Sequence, residues 1–278
     1  MRILKRLINR LFLAIGIKIL KAKNYSKIIR VNEYAKLSEA SGYSSEDAFA
    51  NVSNQFLELW PVDQLRELSI YARYSRSQLG QDLIALQFNN FKTDGYFVEI
   101  GAADGVHFSN TYLLEKKLNW RGLCVEPAKG WHEELLKNRE CFVDLRAVGE
   151  NDGDLVLFKE TEIKVLSTFS AYVNNDLHAE ARHKGTSYNV ETVTLDSLLQ
   201  EYRFPKQIDY LSVDTEGSEI EILKAFNWAN WKFNFISVEH NYTSNREIVR
   251  ELLEQNGYKR VLTEISDFDD YFVLRDVD

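Results

Sequence analysis

The sequence is poor in proline, cysteine and methionine, with 3 Pro, 2 Cys and 1 Met among 278 residues. With so little proline and 45% hydrophobic residues, the composition excludes a collagen-like, mucin-like or wholly disordered chain. Cys124 and Cys141 form no CxxC pair and no disulfide framework, so we expect a reduced, cytoplasmic protein. Near the amino terminus the longest uncharged run is residues 11–17, whereas a membrane-spanning helix needs about 20 apolar residues.

The first 23 residues contain no negatively charged side chain. The whole chain has 34 basic and 42 acidic residues, a formal net charge of −8, which argues against the phosphate backbone of a nucleic acid as the main partner. Residues 1–23 contain seven basic residues and no acid. Subtracting their +7 from −8 leaves −15 on the rest of the chain.

The basic segment 1–23 also has apolar residues at three- and four-residue steps, which predicts an amphipathic helix. Two functions fit it: a helix lying on an anionic membrane surface, such as the inner face of the cell membrane, or a helix packed against a second copy of the chain. Its apolar stretch is too short for a signal peptide, and no small-residue cleavage site follows. We expect residues 1–76 to be a helical amino-terminal segment and residues 77–278 to be the main domain.

From residue 77 onward, strand and helix patterns alternate. Such alternation predicts an α/β fold with a parallel sheet, and an acidic turn near the end predicts an antiparallel hairpin at the sheet edge. A polar stretch around residues 174–183 is predicted to be an insertion. The predicted strands are residues 96–100, 122–125, 142–145, 155–158, 190–194, 208–213, 235–238, 258–263 and 271–274, and the predicted helices are 111–117, 132–138, 220–226 and 246–256.

A glycine-containing turn follows the first strand, in the segment VEIGAADG at residues 98–105. Ligands of parallel α/β sheets bind at the carboxyl ends of the strands, where glycine lets the backbone approach closely. The segment lacks the GxGxxG pattern of dinucleotide-binding folds, and the phosphate-binding GxxxxGK[ST] pattern is absent. Two acids remain, Glu99 before the turn and Glu126 at the end of the next strand. A carboxylate at the second position can accept two hydrogen bonds from a ribose diol.

A series of ordered motifs across residues 77–275 resembles the FkbM family of S-adenosylmethionine-dependent methyltransferases. Several blocks in one order are a stronger signal than any one of them. They are SQLGQD at 77–82, FVEIGAADG at 97–105, SNT at 109–111, LEK at 114–116, WRG at 120–122, VEP at 125–127, TLD at 194–196, DYLSVDTEG at 209–217 and VEH at 238–240.

The resemblance implies a Rossmann-like, seven-stranded, mostly parallel sheet with an antiparallel last hairpin, preceded here by the helical segment. It also implies S-adenosylmethionine as cofactor. The glycine turn would face the methionine part of the cofactor, Glu126 would hold the ribose hydroxyls, and Ala147 would line the adenine. The full set of residues expected at the cofactor is Gln78, Gln81, Glu99, Gly101, Ala103, Asp104, Glu126 and Ala147.

Polar clusters at two later strand ends are the candidates for the chemistry. Asp214 and Glu216 follow one strand, and Glu239, His240 and Asn241 follow the next. Adjacent parallel strands lie about 4.8 Å apart, so the clusters are expected to converge. An alcohol is a weak acid, and its methylation needs a base or a metal ion.

Two mechanisms remain open at this point. In the first, His240 is the general base, and a neighbouring carboxylate, Asp214 or Glu216, orients its ring. In the second, Asp214, Glu239 and His240 bind Mg²⁺ or Mn²⁺.

The family resemblance implies an O-methyltransferase. Together with the basic amino terminus, it leads us to expect a carbohydrate hydroxyl as acceptor: that of a nucleotide sugar, a lipid-linked sugar or a surface-polysaccharide sugar. Tyr242, just after the second cluster, is a candidate for stacking on a sugar ring. One alternative is a methyltransferase for a lipid or polyketide-like small molecule. Another is a non-catalytic, membrane-tethered scaffold of the same fold, although a scaffold needs none of the site residues.

Overall fold

The computed structural model describes residues 60–161, 167–170 and 185–275. Contacts divide the chain between Arg73 and Tyr74. The basic helix predicted for residues 1–23 lies outside the described residues, as does the polar insertion predicted around residues 174–183. The division of the chain at residue 76 and the role of residues 1–76 stay predictions.

Strands and helices alternate through the described part of the second unit, as the sequence pattern predicts. The strands are β1 (Tyr96–Ile100), β2 (Arg121–Val125), β3 (Phe142–Asp144), β4 (Ala147–Val148), β5 (Leu155–Thr161), β6 (Thr168–Phe169), β7 (Gly185–Val193), β8 (Gln207–Val213), β9 (Lys232–Glu239), β10 (Tyr258–Val261) and β11 (Asp269–Leu274). The helices are α1 (Val62–Ala72), which lies in the first unit, α2 (Gln81–Phe88), α3 (Tyr112–Leu118), α4 (His132–Asn138), α5 (Leu195–Glu201), α6 (Glu219–Ala225) and α7 (Asn245–Gln255).

The main sheet has seven strands in the order β10-β11-β9-β8-β1-β2-β3. β11 is antiparallel to both of its neighbours, and the other pairs are parallel. Val98 of β1 lies opposite Leu123 of β2 and Leu211 of β8. This arrangement confirms the predicted Rossmann-like fold, and it brings the carboxyl ends of β1, β2, β8 and β9 to one edge of the sheet.

Burial of the central strands explains their apolar sequences. After their first residues, β1, β2 and β8 are buried throughout, as expected for parallel strands covered on both faces. Residues of these strands and of β9 form one large apolar core with helix residues such as Leu198 and Leu223. None of the helices described between residues 60 and 275 combines the length and hydropathy that a bilayer crossing requires.

A second, smaller sheet with the order β4-β7-β5-β6 was not predicted. β5 is antiparallel to β6 and β7, whereas β4 is parallel to β7. Phe158 of β5 and Val190 of β7 are buried together with Ala128 and Ala147, while Leu155 and Leu157 are exposed. This small sheet supplies part of the wall of the cavity described next.

Candidate active site

A cavity of about 370 Å³ lies at the carboxyl ends of β1, β2, β8 and β9. Its walls come from the segments that follow these strands and from the small sheet. The structure thus brings together residues predicted separately for cofactor binding and for catalysis. The predicted residues that line the cavity are Gln78, Gly101, Ala103, Glu126, Ala147, Asp214, Glu216 and Glu239.

Only glycine fits at position 101, where the end of β1 lies against the end of β8. It has a φ of +87°, and a Cβ atom there would lie 1.7 Å from the carbonyl oxygen of Asp214. The amide of Asp214 donates to the carbonyl of Ile100 over 3.0 Å. No side chain fits this position, so glycine permits the close approach of the two strand ends.

Glu126 occupies the turn after β2 and is held by the glycine loop. Its carboxylate accepts backbone hydrogen bonds from Ala103 (2.8 Å) and Ala128 (2.7 Å). Burial raises the pKa of Glu126 to about 7, although both hydrogen bonds favour the charged form. The loop therefore fixes the position of a carboxylate that faces the cavity.

Glu99 has a different place from the predicted one. Its buried carboxylate accepts hydrogen bonds from the Asn110 amide (2.5 Å) and the Thr111 hydroxyl (2.5 Å), and it pairs with Arg139 (3.1 Å). Glu99 is not among the residues that line the cavity. We therefore correct its role: it holds residues 109–111 in position, because its carboxylate is already occupied by them.

Arg139 is a site residue that the sequence analysis missed. Its side chain is 0% exposed and pairs with both Glu99 and Glu115. It also donates to the Gly105 carbonyl (3.3 Å) and the Thr111 hydroxyl (2.8 Å). In the sequence it is one basic residue after a helix, a position typical of exposed side chains, so no local pattern identifies it.

Asp104 and Gln81 also serve the surrounding structure rather than the cavity lining. Asp104 accepts from the backbone amides of Val106 and His107, both at 2.8 Å, and contacts the His107 ring at 2.5 Å. Burial alone would raise the pKa of Asp104, but the hydrogen bonds from His107 and Val106 outweigh it and lower the pKa. Gln81 donates to buried Asp269 over 2.5 Å.

Three carboxylates meet in the cavity wall at the ends of β8 and β9. One oxygen from each of Asp214, Glu216 and Glu239 lies within 4.8 Å of the others. Burial and the neighbouring acids raise the pKa of Asp214 and of Glu239 well above the usual range. We call these residues the acid cluster. It could hold a divalent cation, with Glu216 in place of the predicted His240.

His240 is turned away from this cluster. Its Nδ1 accepts a hydrogen bond from the Tyr242 amide (3.0 Å), and its Nε2 lies 3.7 Å from Asp270. Burial lowers the pKa of His240 to about 4. Because it does not line the cavity, its predicted roles as general base and metal ligand need correction: in this geometry the ring supports the chain after β9.

Asn241 is one of the predicted strand-end residues, whereas Thr168 is a residue that the sequence pattern does not identify. Asn241 lines the cavity and donates to the Glu216 carboxylate over 3.3 Å. Thr168 of β6 donates to the Glu216 carbonyl over 2.9 Å. Glu216 itself has a φ of 60°, a strained conformation that these contacts help to hold.

The family is decided by a sequence comparison. A family model described as the methyltransferase FkbM domain matches residues 99–260. The chain belongs to the FkbM methyltransferase family. Among curated relatives of this FkbM chain, the hexuronic acid methyltransferase AglP of Haloferax volcanii is 22% identical over 247 residues, covering 86% of this chain and 88% of the relative. The methyltransferase sdnD of Sordaria araneosa is 25% identical over 198 residues, covering 61% and 75%.

Among solved structures, the methyltransferase FkbM from Methylobacillus flagellatus aligns with a TM-score of 0.41 at 10% identity, covering 97% of this FkbM chain and 70% of the other. A precorrin-6y C5,15-methyltransferase from Geobacter metallireducens aligns with a TM-score of 0.38 at 13% identity, covering 69% and 85%.

Proposed function

We propose that the protein transfers a methyl group from S-adenosylmethionine to a hydroxyl of a carbohydrate. One observation carries the proposal: a single cavity is lined by the Gly101 turn, by Glu126 and by the acid cluster. A cofactor and an acceptor can therefore meet in it, as methyl transfer requires.

The residues at the glycine turn fit S-adenosylmethionine. Gly101 and Ala103 line the cavity without bulky side chains, so a ligand can approach the turn closely. Glu126 offers carboxylate oxygens to a ribose diol, and the buried Ala147 and Val148 of β4 offer an apolar surface for adenine. When bound, S-adenosylmethionine supplies a methyl group made electrophilic by its positively charged sulfur. The protein's own residues then have to position the acceptor and remove its proton.

Proton removal falls to the acid cluster in this proposal. Asp214 follows β8 directly, and its backbone is in contact with the Gly101 turn. A carboxylate oxygen of Asp214 would accept the proton of the acceptor hydroxyl, while Glu216 and Glu239 hold the hydroxyl in line. Placement of a base beside the reacting hydroxyl is the usual contribution of such a side chain.

A carbohydrate acceptor is supported by two observations. The relative in Haloferax volcanii is named a hexuronic acid methyltransferase, and the cavity has amide and carboxylate groups, including Gln78, Asn241 and the acid cluster, that suit sugar hydroxyls. A lipid or polyketide-like acceptor is the alternative. Apolar side chains such as Trp131, Phe158 and Phe268 also line the cavity, so the assay described next includes lipid hydroxyls.

A methyl-transfer assay tests the proposal. Labelled S-adenosylmethionine is incubated with the full chain and a panel of nucleotide sugars, uronic-acid oligosaccharides, isoprenoid-linked sugars and lipid hydroxyls. We expect labelled methyl ethers on a sugar, and labelling only of lipids would contradict the proposal. Each assay is repeated after exhaustive chelation and after addition of Mn²⁺. Loss and recovery of activity would replace the Asp214 base with a cation held by the acid cluster.

A further inference from the structure

Two aromatic side chains are exposed at the cavity, unlike most of the large aromatic residues. Phe108 is 53% exposed and Tyr242 is 60% exposed, and both line the cavity. Phe233 and Phe235, by contrast, are fully buried in the core. Phe108 follows the cofactor loop and Tyr242 follows β9, so two different strand ends each present an aromatic ring at the same cavity. We call Phe108 and Tyr242 the aromatic pair.

Both members of the aromatic pair have a backbone conformation that bulky residues avoid. The φ angle is 59° at Phe108 and 56° at Tyr242. Positive φ is a genuine outlier for a bulky side chain. Such strain persists only where the surrounding structure holds it, and it concentrates at functional sites. An exposed ring on a strained backbone gains nothing for the core, so a functional contact is its natural explanation.

Backbone pairing, hydrogen bonds and a ring contact hold both residues of the aromatic pair in place. Phe108 forms an isolated backbone bridge with Ser77, whose hydroxyl donates to buried Asp82 over 2.6 Å. Tyr242 donates its amide to His240 and packs edge-to-face on that ring, with centroids 5.5 Å apart. The hydroxyl of Tyr242 donates to Asp267. His240 is thus a positioning residue for Tyr242.

Polar groups lie beside the aromatic pair in the same lining. Gln78 is next to Ser77 in the sequence, and Asn241, which is next to Tyr242, donates to Glu216 of the acid cluster over 3.3 Å. A pyranose ring has apolar C–H faces and a rim of hydroxyls. Aromatic rings suit its faces, because their π electrons attract polarised C–H groups, and amides and carboxylates suit its rim.

We infer that Phe108 and Tyr242 form the platform that binds the C–H faces of the acceptor sugar. The inference rests on the proposed function and extends it, since it names the residues that select a pyranose ring. Neither ring takes part in the chemical step, so the aromatic pair acts on acceptor binding. The cofactor contacts assigned to the Gly101 turn and Glu126 do not depend on it.

The test compares variants that keep an aromatic ring with variants that keep only apolar bulk. Phe108→Leu and Tyr242→Leu remove the π face, whereas Phe108→Tyr and Tyr242→Phe retain it. We expect each leucine variant to raise KM for the best sugar of the panel by about tenfold, with little change in kcat. The two aromatic variants should have a KM within about twofold of that of the unmodified chain. S-adenosylhomocysteine affinity, measured by titration calorimetry, should stay unchanged in all four.

Phe142→Leu is the matched control, because Phe142 is also 53% exposed but does not line the cavity. Its KM should equal that of the unmodified chain. Methyl transfer to a sugar with normal KM in both leucine variants would overturn the aromatic platform and leave the proposed function standing. Failure of the unmodified chain to methylate any sugar would overturn both.

Discussion

The ion-paired network around Arg139 and the acid cluster solve the problem of buried charge in opposite ways. In the network, the buried carboxylates of Glu99 and Glu115 both pair with Arg139. In the acid cluster, burial and the neighbouring acids raise the pKa of Asp214 and of Glu239. The network has its carboxylates neutralised by an arginine, whereas the raised pKa values in the cluster favour protonated acids.

This difference separates structural roles from chemical ones. An ion-paired network is rigid and complete when the chain has folded, which suits a loop that must keep one shape. Crowded carboxylates favour whatever relieves their repulsion: a proton, a cation or a hydroxyl that donates to them. The acid cluster is therefore where we propose that the chemistry takes place.

The largest effect should come from breaking the ion-paired network around Arg139. Arg139→Met removes the cation that buried Glu99 and Glu115 share, which is expected to cost about 3–5 kcal/mol of unfolding free energy. Urea denaturation followed by circular dichroism measures it. Arg250→Met, which removes an arginine paired with Glu247 and Glu254 on the surface of α7, should leave the transition unchanged. Equal transitions for the two variants would mean that Arg139 does not hold the loop.

The next largest effect should come from a change in the acid cluster. Asp214→Asn removes the proposed proton acceptor with little change in size, so kcat is expected to fall by about 10²–10⁴. The KM for S-adenosylmethionine should change by less than about threefold. Steady-state kinetics with the best acceptor measure both constants. Exposed Glu264 provides the control as Glu264→Gln, and a kcat for Asp214→Asn similar to that of the control would remove Asp214 from the mechanism.

A smaller effect should appear in the pH dependence of cofactor binding. Burial raises the pKa of Glu126 to about 7, and ribose hydroxyls prefer the charged carboxylate. Below that pKa, binding must displace a proton, so affinity for S-adenosylhomocysteine should fall about tenfold from pH 8 to pH 6. Titration calorimetry at several pH values measures it. Glu126→Gln should bind with a flat profile, and a flat profile in the unmodified chain would show that Glu126 does not contact the ribose.

Much of the main sheet could be predicted because its strands are short apolar runs between polar residues. β1 was predicted at the bounds that the structure has, and α4 likewise. The small sheet was missed for a physical reason. β4 and β6 are two residues each, too short for a periodic pattern, and their pairing depends on contacts across the fold.

The sequence pattern predicts which strand ends form the candidate site better than it predicts how individual side chains are placed there. Strand-end positions correctly brought Gly101, Glu126 and the acid cluster to one cavity. His240 was misplaced because the chain turns sharply after β9, with positive φ at Asn241 and Tyr242, and sequence spacing does not reveal this turn. Arg139 was missed because its partners are distant in sequence, so only the folded chain identifies it.

We propose that Glu126 binds the cofactor and that Asp214 takes part in the chemistry. Titration calorimetry with S-adenosylhomocysteine on the unmodified chain, Glu126→Ala and Asp214→Asn tests this claim most directly. We predict that Glu126→Ala weakens binding by about tenfold or more, through loss of its charge-assisted hydrogen bonds, and that Asp214→Asn binds like the unmodified chain. Unchanged affinity in Glu126→Ala, with affinity lost in Asp214→Asn, would contradict the claim.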